Sequence, residues 1–180
     1  VKRCNGVTCW YENVTTYRTE RRPVRNILDA VTPRTRMLHV TTLAPTPENA
    51  VAELLRIANP KSTEVLYDIG CGDGRILIAA TTTYGCRSVG VELNPDSVKL
   101  AQQSVNVFGL QDQIWIYEGD ALKYTYQDAD VVTMYLYPEL MARILPLLKP
   151  RTRVVSYLHS IPGAMKHTVG EHVFYEWITQ

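Results

Sequence analysis

The stretch with the most chemistry is Asp68-Ile69-Gly70-Cys71-Gly72-Asp73-Gly74-Arg75, in which three glycines alternate behind an apolar run. Glycines spaced this way let the backbone take positive φ and let a ligand approach without meeting a Cβ. If a helix follows, its first N–H groups point at an anion. The pattern is G-x-G-x-G, with Arg75 where a dinucleotide fingerprint carries its third glycine. Asp73 inside the loop would also repel a pyrophosphate in a low-dielectric crevice. A nicotinamide-dependent oxidoreductase is therefore disfavoured. A zwitterionic ligand bearing an ammonium group would instead gain from the nearby carboxylates.

Such a bend is useful only if regular elements hold it. Thr46-Pro47-Glu48 reads as a helix start, with Thr46 as N-cap and Pro47 first in the helix, and Ala50, Val51, Leu54, Leu55 and Ala58 share one face. The helix should stop near Asn59-Pro60. Strands are expected at residues 65–69, 87–92, 113–117, 129–135 and 153–158, with helices at 75–83, 95–108 and 138–148 between them. Strands alternating with helices predict an α/β fold with a doubly wound, mostly parallel sheet. Ligands bind such sheets beyond the carboxyl ends of the strands, where the strand order reverses, and the glycine bend lies at the end of the first strand. After Pro162-Gly163 no helical period appears, and residues 172–178 alternate as an antiparallel edge strand.

The chain has 180 residues, enough for one full domain, and a formal net charge of +1. Residues 1–40 carry eight Lys/Arg against three acidic groups, whereas residues 41–180 carry eleven against fifteen. This divides the chain into a basic arm or appended element (1–40) and a mildly acidic body (41–180). The arm could reach nucleic acid, though a solvated arm over its own body is favoured. Cys4, Cys9, Cys71 and Cys86 match no zinc spacing, so no metal is expected. Cys4 and Cys9 could close a disulfide in an exported protein, with Asn13-Val14-Thr15 a glycan acceptor; free thiols and a chance sequon are the plainer alternative. No apolar run is long enough to span a bilayer. A cytoplasmic location is expected, with export left open because the chain begins at Val1 without methionine.

The motif DIGCGDGR resembles the first motif of class I methyltransferases that use S-adenosylmethionine. Two further segments extend the likeness: GVELNP, with Glu92 at a strand end, and YEGDAL, with Asp120 just after the next strand. The resemblance spans about residues 44–160 and implies a Rossmann-like methyltransferase fold with S-adenosylmethionine as cofactor. It further implies that Asp68 and the loop Gly70, Cys71, Gly72, Asp73 and Gly74 hold the methionine moiety. Glu92 would accept the ribose hydroxyls, Asp120 the adenine amino group with the Ala121 N–H nearby, and Leu93 would pack on the ring. A narrower likeness, through Ala44-Pro45-Thr46-Pro47, GDGRI and ELNP, is to protein-lysine methyltransferases of the ATP synthase c-subunit type, which adds Thr46 to the cofactor set. VVTMYLYPEL and LKPRTRVVSYLHSIPG look similar to small bacterial methyltransferase-like proteins of unassigned substrate.

The resemblance leaves the acceptor open. The fourth strand ends Met134-Tyr135-Leu136-Tyr137-Pro138-Glu139, where the class shapes its acceptor pocket, and it lacks the N/D-P-P-Y/F of enzymes that methylate amino groups of nucleic acids. A lysine must lose its proton before attack, and tyrosines around a partly desolvated ammonium lower its pKa and orient it. Tyr135, Tyr137 and Glu139 are the catalytic candidates, and His159 could face the same place or be structural. A protein or small-molecule acceptor is expected, possible nucleic-acid binding through the arm being the disfavoured case. The alternative to a methyltransferase is a cofactor-binding protein without turnover.

Overall fold

The computed structural model describes residues 2–4, 9–11 and 45–180. A short antiparallel pair, β1 (Lys2–Cys4) and β2 (Cys9–Tyr11), belongs to one unit, Val1–Met37, and sets Cys4 opposite Cys9 in its register. The expectations for the rest of the basic stretch, for a Cys4–Cys9 disulfide and for the glycan acceptor at Asn13 lie outside the described residues.

The other unit, Leu38–Gln180, contains α1 (Glu48–Ala58), β3 (Val65–Ile69), α2 (Arg75–Tyr84), β4 (Arg87–Glu92), α3 (Pro95–Phe108) and β5 (Ile114–Glu118). It continues with β6 (Val131–Met134), α4 (Pro138–Ile144), β7 (Arg153–Tyr157), β8 (Met165–Val169) and β9 (His172–Ile178). These strands form a seven-stranded sheet in the order β5-β4-β3-β6-β7-β9-β8. The pairings from β5 through β7 are parallel, and β9 runs antiparallel to both β7 and β8. The doubly wound α/β architecture thus forms as its alternating elements predict. Strand order reverses at β3, whose neighbours β4 and β6 come from opposite directions of winding.

Alternation along β3 assigns its side chains. Val65, Tyr67 and Ile69 enter a core with Val89, Val91, Val132, Met134 and, from α4, Met141 and Ile144. Helices α1, α2 and α3 make the opposite layer, with α2 packed on β3 and β4 and α3 on β4 and β5. No α-helix joins β5 to β6; a 3-10 turn at Ala121–Lys123 and the fully buried Tyr126 fill that space.

Three local departures from the sequence pattern have physical causes. Pro47, not Thr46, occupies the cap position of α1 and makes no side-chain cap bond. Thr46 is instead buried, and its carbonyl accepts from Arg75 Nη1 at 2.9 Å. The helix expected over 138–148 stops at Ile144 and tightens into a 3-10 turn, Leu145–Leu147, because Pro146 has no N–H for an α-helical bond. Finally, β9 is not the edge. The polar strand β8 pairs along its outer side, and its Lys166 and His167 blunt the edge the sheet exposes.

Candidate active site

The reversal point gathers the residues at the bend. Asp68 lies in register between Gly90 of β4 and Thr133 of β6. It is 3% exposed, and Thr133 Oγ1 donates to its Oδ1 at 2.7 Å. Burial pushes the Asp68 carboxyl up to about 7; the Thr133 bond opposes this and the charges of Glu92 and Asp73 reinforce it. A carboxylate in such surroundings gains most from a ligand that brings a positive charge.

The loop beyond Asp68 is pinned to β4 by two donors, Gly70 N and Cys71 N, both to Val91 O, at 2.8 and 3.3 Å. Gly70 has φ of 79°, and a Cβ there would stand 2.9 Å from Leu136 Cδ2, so only glycine lets the loop meet the end of β6. Gly72 has φ of 54°, and a Cβ there would meet nothing within 4 Å, which leaves open space for a ligand against bare backbone. The Cys71 side chain fills a slot over Gly90, where a Cβ would lie 2.6 Å from Sγ. Burial, followed by the charges of Asp68 and Glu92, raises the Cys71 thiol well above its ordinary range, so it serves as filler and not as a nucleophile.

Glu92, at the end of β4, is held on both sides. Gly72 N donates to Oε2 at 3.0 Å and Asn94 N to Oε1 at 2.8 Å. Each oxygen retains a lone pair, so a fixed carboxylate stands ready for two hydroxyl donors. The Asn94 side chain caps α3 by accepting from Asp96 N and Ser97 N. Leu93 beside it is 71% exposed, a flat apolar surface next to the carboxylate. Past β5, Asp120 caps the 3-10 turn by accepting from Leu122 N at 3.0 Å, and the Ala121 carbonyl accepts from Tyr126 OH at 2.7 Å. Asp68, Glu92 and Asp120 therefore follow one another along the carboxyl edge of three adjacent strands, in an order that suits an ammonium, a ribose and a base amino group.

Asp73 is engaged by the protein itself. Arg75 Nε donates to Asp73 Oδ1 at 2.9 Å and Arg75 Nη2 to Oδ2 at 2.5 Å, with the two side chains 11% and 17% exposed. Through its remaining nitrogen Arg75 holds the Thr46 carbonyl. Thr46 and Asp73 are thus tied to each other through Arg75, which in the sequence alone served only as an argument against a dinucleotide. Thr133 escapes sequence reasoning too; a lone hydroxyl in the apolar run VVTM is its signal.

At the end of β6, Leu136 turns toward Gly70 while Tyr135 and Tyr137 share another cluster. The Tyr135 ring packs edge-on against Tyr157 at 5.0 Å and stacks on His159 at 5.8 Å, and Tyr137 leans on His159 at 5.8 Å. Tyr137 is 50% exposed, so the cluster opens to solvent. Behind it, Tyr157 OH and His172 Nδ1 are 2.9 Å apart, and His172 is buried. The structure brings Tyr135 and Tyr137 together through His159. Glu139 lies apart, exposed in the first turn of α4.

Comparison with known proteins supplies a family. The family described as ANTKMT methyltransferase domain matches residues 68–168. A protein-lysine N-methyltransferase of Saccharolobus islandicus is 35% identical over 71% of this chain and 93% of its own length. The mouse lysine N-methyltransferase named for the ATP synthase c-subunit is 33% identical over 72% of this chain, which spans 52% of that relative. Among solved structures, an RNA methyltransferase from Salinibacter ruber in complex with S-adenosyl-L-homocysteine is 35% identical, with a TM-score of 0.71 over 75% of this chain and 93% of that one.

Proposed function

The chain belongs to the ANTKMT methyltransferase domain family and is an S-adenosylmethionine-dependent methyltransferase, and from that premise we propose that its acceptor is the ε-amino group of a protein lysine. The cofactor supplies an activated sulfonium methyl. The protein's remaining work is to align a nucleophile behind it and to exclude water. Asp68 binds the ammonium of the methionine moiety, the Gly70–Gly74 backbone shapes its seat, Glu92 takes the ribose hydroxyls, and Asp120 with the Ala121 N–H takes the base. Thr46 and Asp73 act through Arg75, as the clamp that holds the loop against the segment before α1. The catalytic body runs from residue 41, and the basic stretch before it is an appended element.

The observation that carries the lysine reading is the tyrosine pair set one residue either side of the Leu136–Gly70 contact. Rings there can desolvate and orient an amine entering beside the cofactor loop. Tyr135 and Tyr137 line that entry, and Glu139, exposed at its rim, attracts the incoming ammonium. Two relatives are named for lysine acceptors, while the Salinibacter ruber structure is described as an RNA methyltransferase. Residues 41–180 carry eleven Lys/Arg against fifteen Asp/Glu, and an acidic body suits a polyanion poorly. The test is incubation with tritiated-methyl S-adenosylmethionine, in parallel with a lysine-bearing peptide library and with bulk RNA, followed by hydrolysis. Label recovered as methyl-lysine supports the proposal, and label recovered only in nucleosides replaces it.

A further inference from the structure

The residue at the centre of the acceptor-side cluster is His159, and the chain is bent into an unfavourable shape to put it there. Leu158 has φ of 62°, a left-handed conformation that crowds any residue carrying a Cβ. His159 N donates to Tyr157 O at 2.8 Å, closing a three-residue γ-turn of the strained hand around Leu158. Two further bonds fix the turn. Leu158 N donates to Val173 O of β9 at 2.9 Å, and Ser156 Oγ donates to the His159 carbonyl at 2.6 Å. Strain of this kind persists where the surroundings over-determine it, and it concentrates at functional sites.

All three bonds hold backbone or its immediate neighbours, and none uses the imidazole. Among the described residues the His159 ring stacks on Tyr135 and leans on Tyr137, and its nitrogens make no hydrogen bond. The partly exposed ring is aimed but unspent. The other histidine of this region, His172, is buried and bonded through Nδ1 to Tyr157 OH, and its Nε2, without a partner among the described residues, is enclosed by the protein and not open to an acceptor.

We infer that the His159 imidazole contacts the incoming acceptor by a hydrogen bond and is a specificity-determining residue of the enzyme, an inference that rests on the proposed lysine acceptor. The tyrosines flank the lysine's methylene chain and amine, and a ring nitrogen of His159 pairs with a polar group of the acceptor as it passes the half-exposed Tyr137. Phenylalanine in this place would keep the stack and lose the bond, which separates recognition from packing.

The test uses the full chain and two cofactor mimics. One is an aza-analogue of S-adenosylmethionine carrying the methyl group; in the other an ethylene bridge replaces that methyl and joins the ε-nitrogen of an N-acetyl-lysine amide, which presents a lysine side chain and its backbone amides to the acceptor side from the cofactor seat. Calorimetry gives the ratio of the two affinities in wild type, His159→Phe and His159→Ala. The expected result is a chain-dependent gain of roughly tenfold in wild type that disappears in both variants while the methyl analogue binds all three alike. A gain retained by His159→Phe overturns the inference in favour of simple packing, and the absence of any gain in wild type overturns it by moving the acceptor elsewhere. Methyl transfer to RNA and not to lysine peptides, read in the separate assay, removes the lysine reading whatever the ratio shows.

Discussion

Between β3 and β5 the carboxyl edge of the sheet is finished in carboxylates and glycines partnered by backbone amides, whereas from β6 to β9 it is finished in aromatic rings that mostly touch one another. Groups held by main-chain donors are positioned by the fold itself, and they suit a ligand that never changes. A cluster held by ring packing can be recomposed one side chain at a time. The relatives reflect this contrast: their names and ligands agree on methyl transfer, and two of them at the same 35% identity differ over protein lysine and RNA.

The sharpest break of the comparison is Glu92→Ala, which removes the proposed ribose acceptor and releases Gly72 N and Asn94 N together. Affinity for S-adenosylhomocysteine should fall by about 3 kcal/mol, or roughly 150-fold, in a calorimetric titration. Unchanged affinity in a folded variant would take Glu92 out of the site.

Asp68→Asn should weaken the same ligand by roughly tenfold at pH 8 while making the ligand-free protein more stable. The Asp68 carboxyl is pushed up to about 7 in the folded chain, so between pH 4 and 7 the folded protein keeps a proton that the unfolded chain has released. The stability from this group is present at the acid end of that window and is lost as pH rises through it. Ligand binding runs the other way, because the ammonium needs the ionised form: affinity should decline as pH falls below about 7. Titrations at pH 6 in buffers of different ionisation enthalpy should show proton release, and buffer-independent heats would refute the linkage.

A smaller effect is expected from Arg75→Met, which strands the Asp73 carboxylate and frees the Thr46 carbonyl. Unfolding in urea should show a loss of about 2 kcal/mol, and cofactor affinity should fall through the loosened loop. If Asp73→Asn alone matched the affinity loss of Asp68→Asn, Asp73 would be a direct ligand instead. Leu158→Gly should shift stability by less than about 1 kcal/mol, since relief of strain offsets the added freedom of the unfolded chain. Acceptor kcat/KM should nonetheless drop several-fold with cofactor KM unchanged; equal kinetics would show that the aim of His159 is irrelevant.

The first half of the sheet was legible because local chemistry there has few solutions. Residues 65–69, 87–92 and 95–108 form with the bounds their patterns predict, the last ended by Gly109, and Asp68, Glu92 and Asp120 stand where strands end. What escaped depends on long-range partners. Thr46 looked like a cap until Arg75, distant in sequence, claimed its carbonyl. The strand MKHTV has no apolar alternation, and it exists because β9 offers it a ladder. The rings of Tyr135, Tyr137 and His159 meet only through the turn at Leu158, which no residue type announces.

The placement of β9 between β7 and β8 bears on how the enzyme is made. A ribosome delivers the chain from its amino end, so the glycine bend, Glu92 and Asp120 emerge while the backing of Tyr157 is still unwritten. Val173, which fixes the turn before His159, and Phe174, which packs on Tyr157, arrive only with the last strand of the sheet. The segments that carry the glycine bend, Glu92 and Asp120 are therefore made well before the strand that backs Tyr157 and the turn at Leu158.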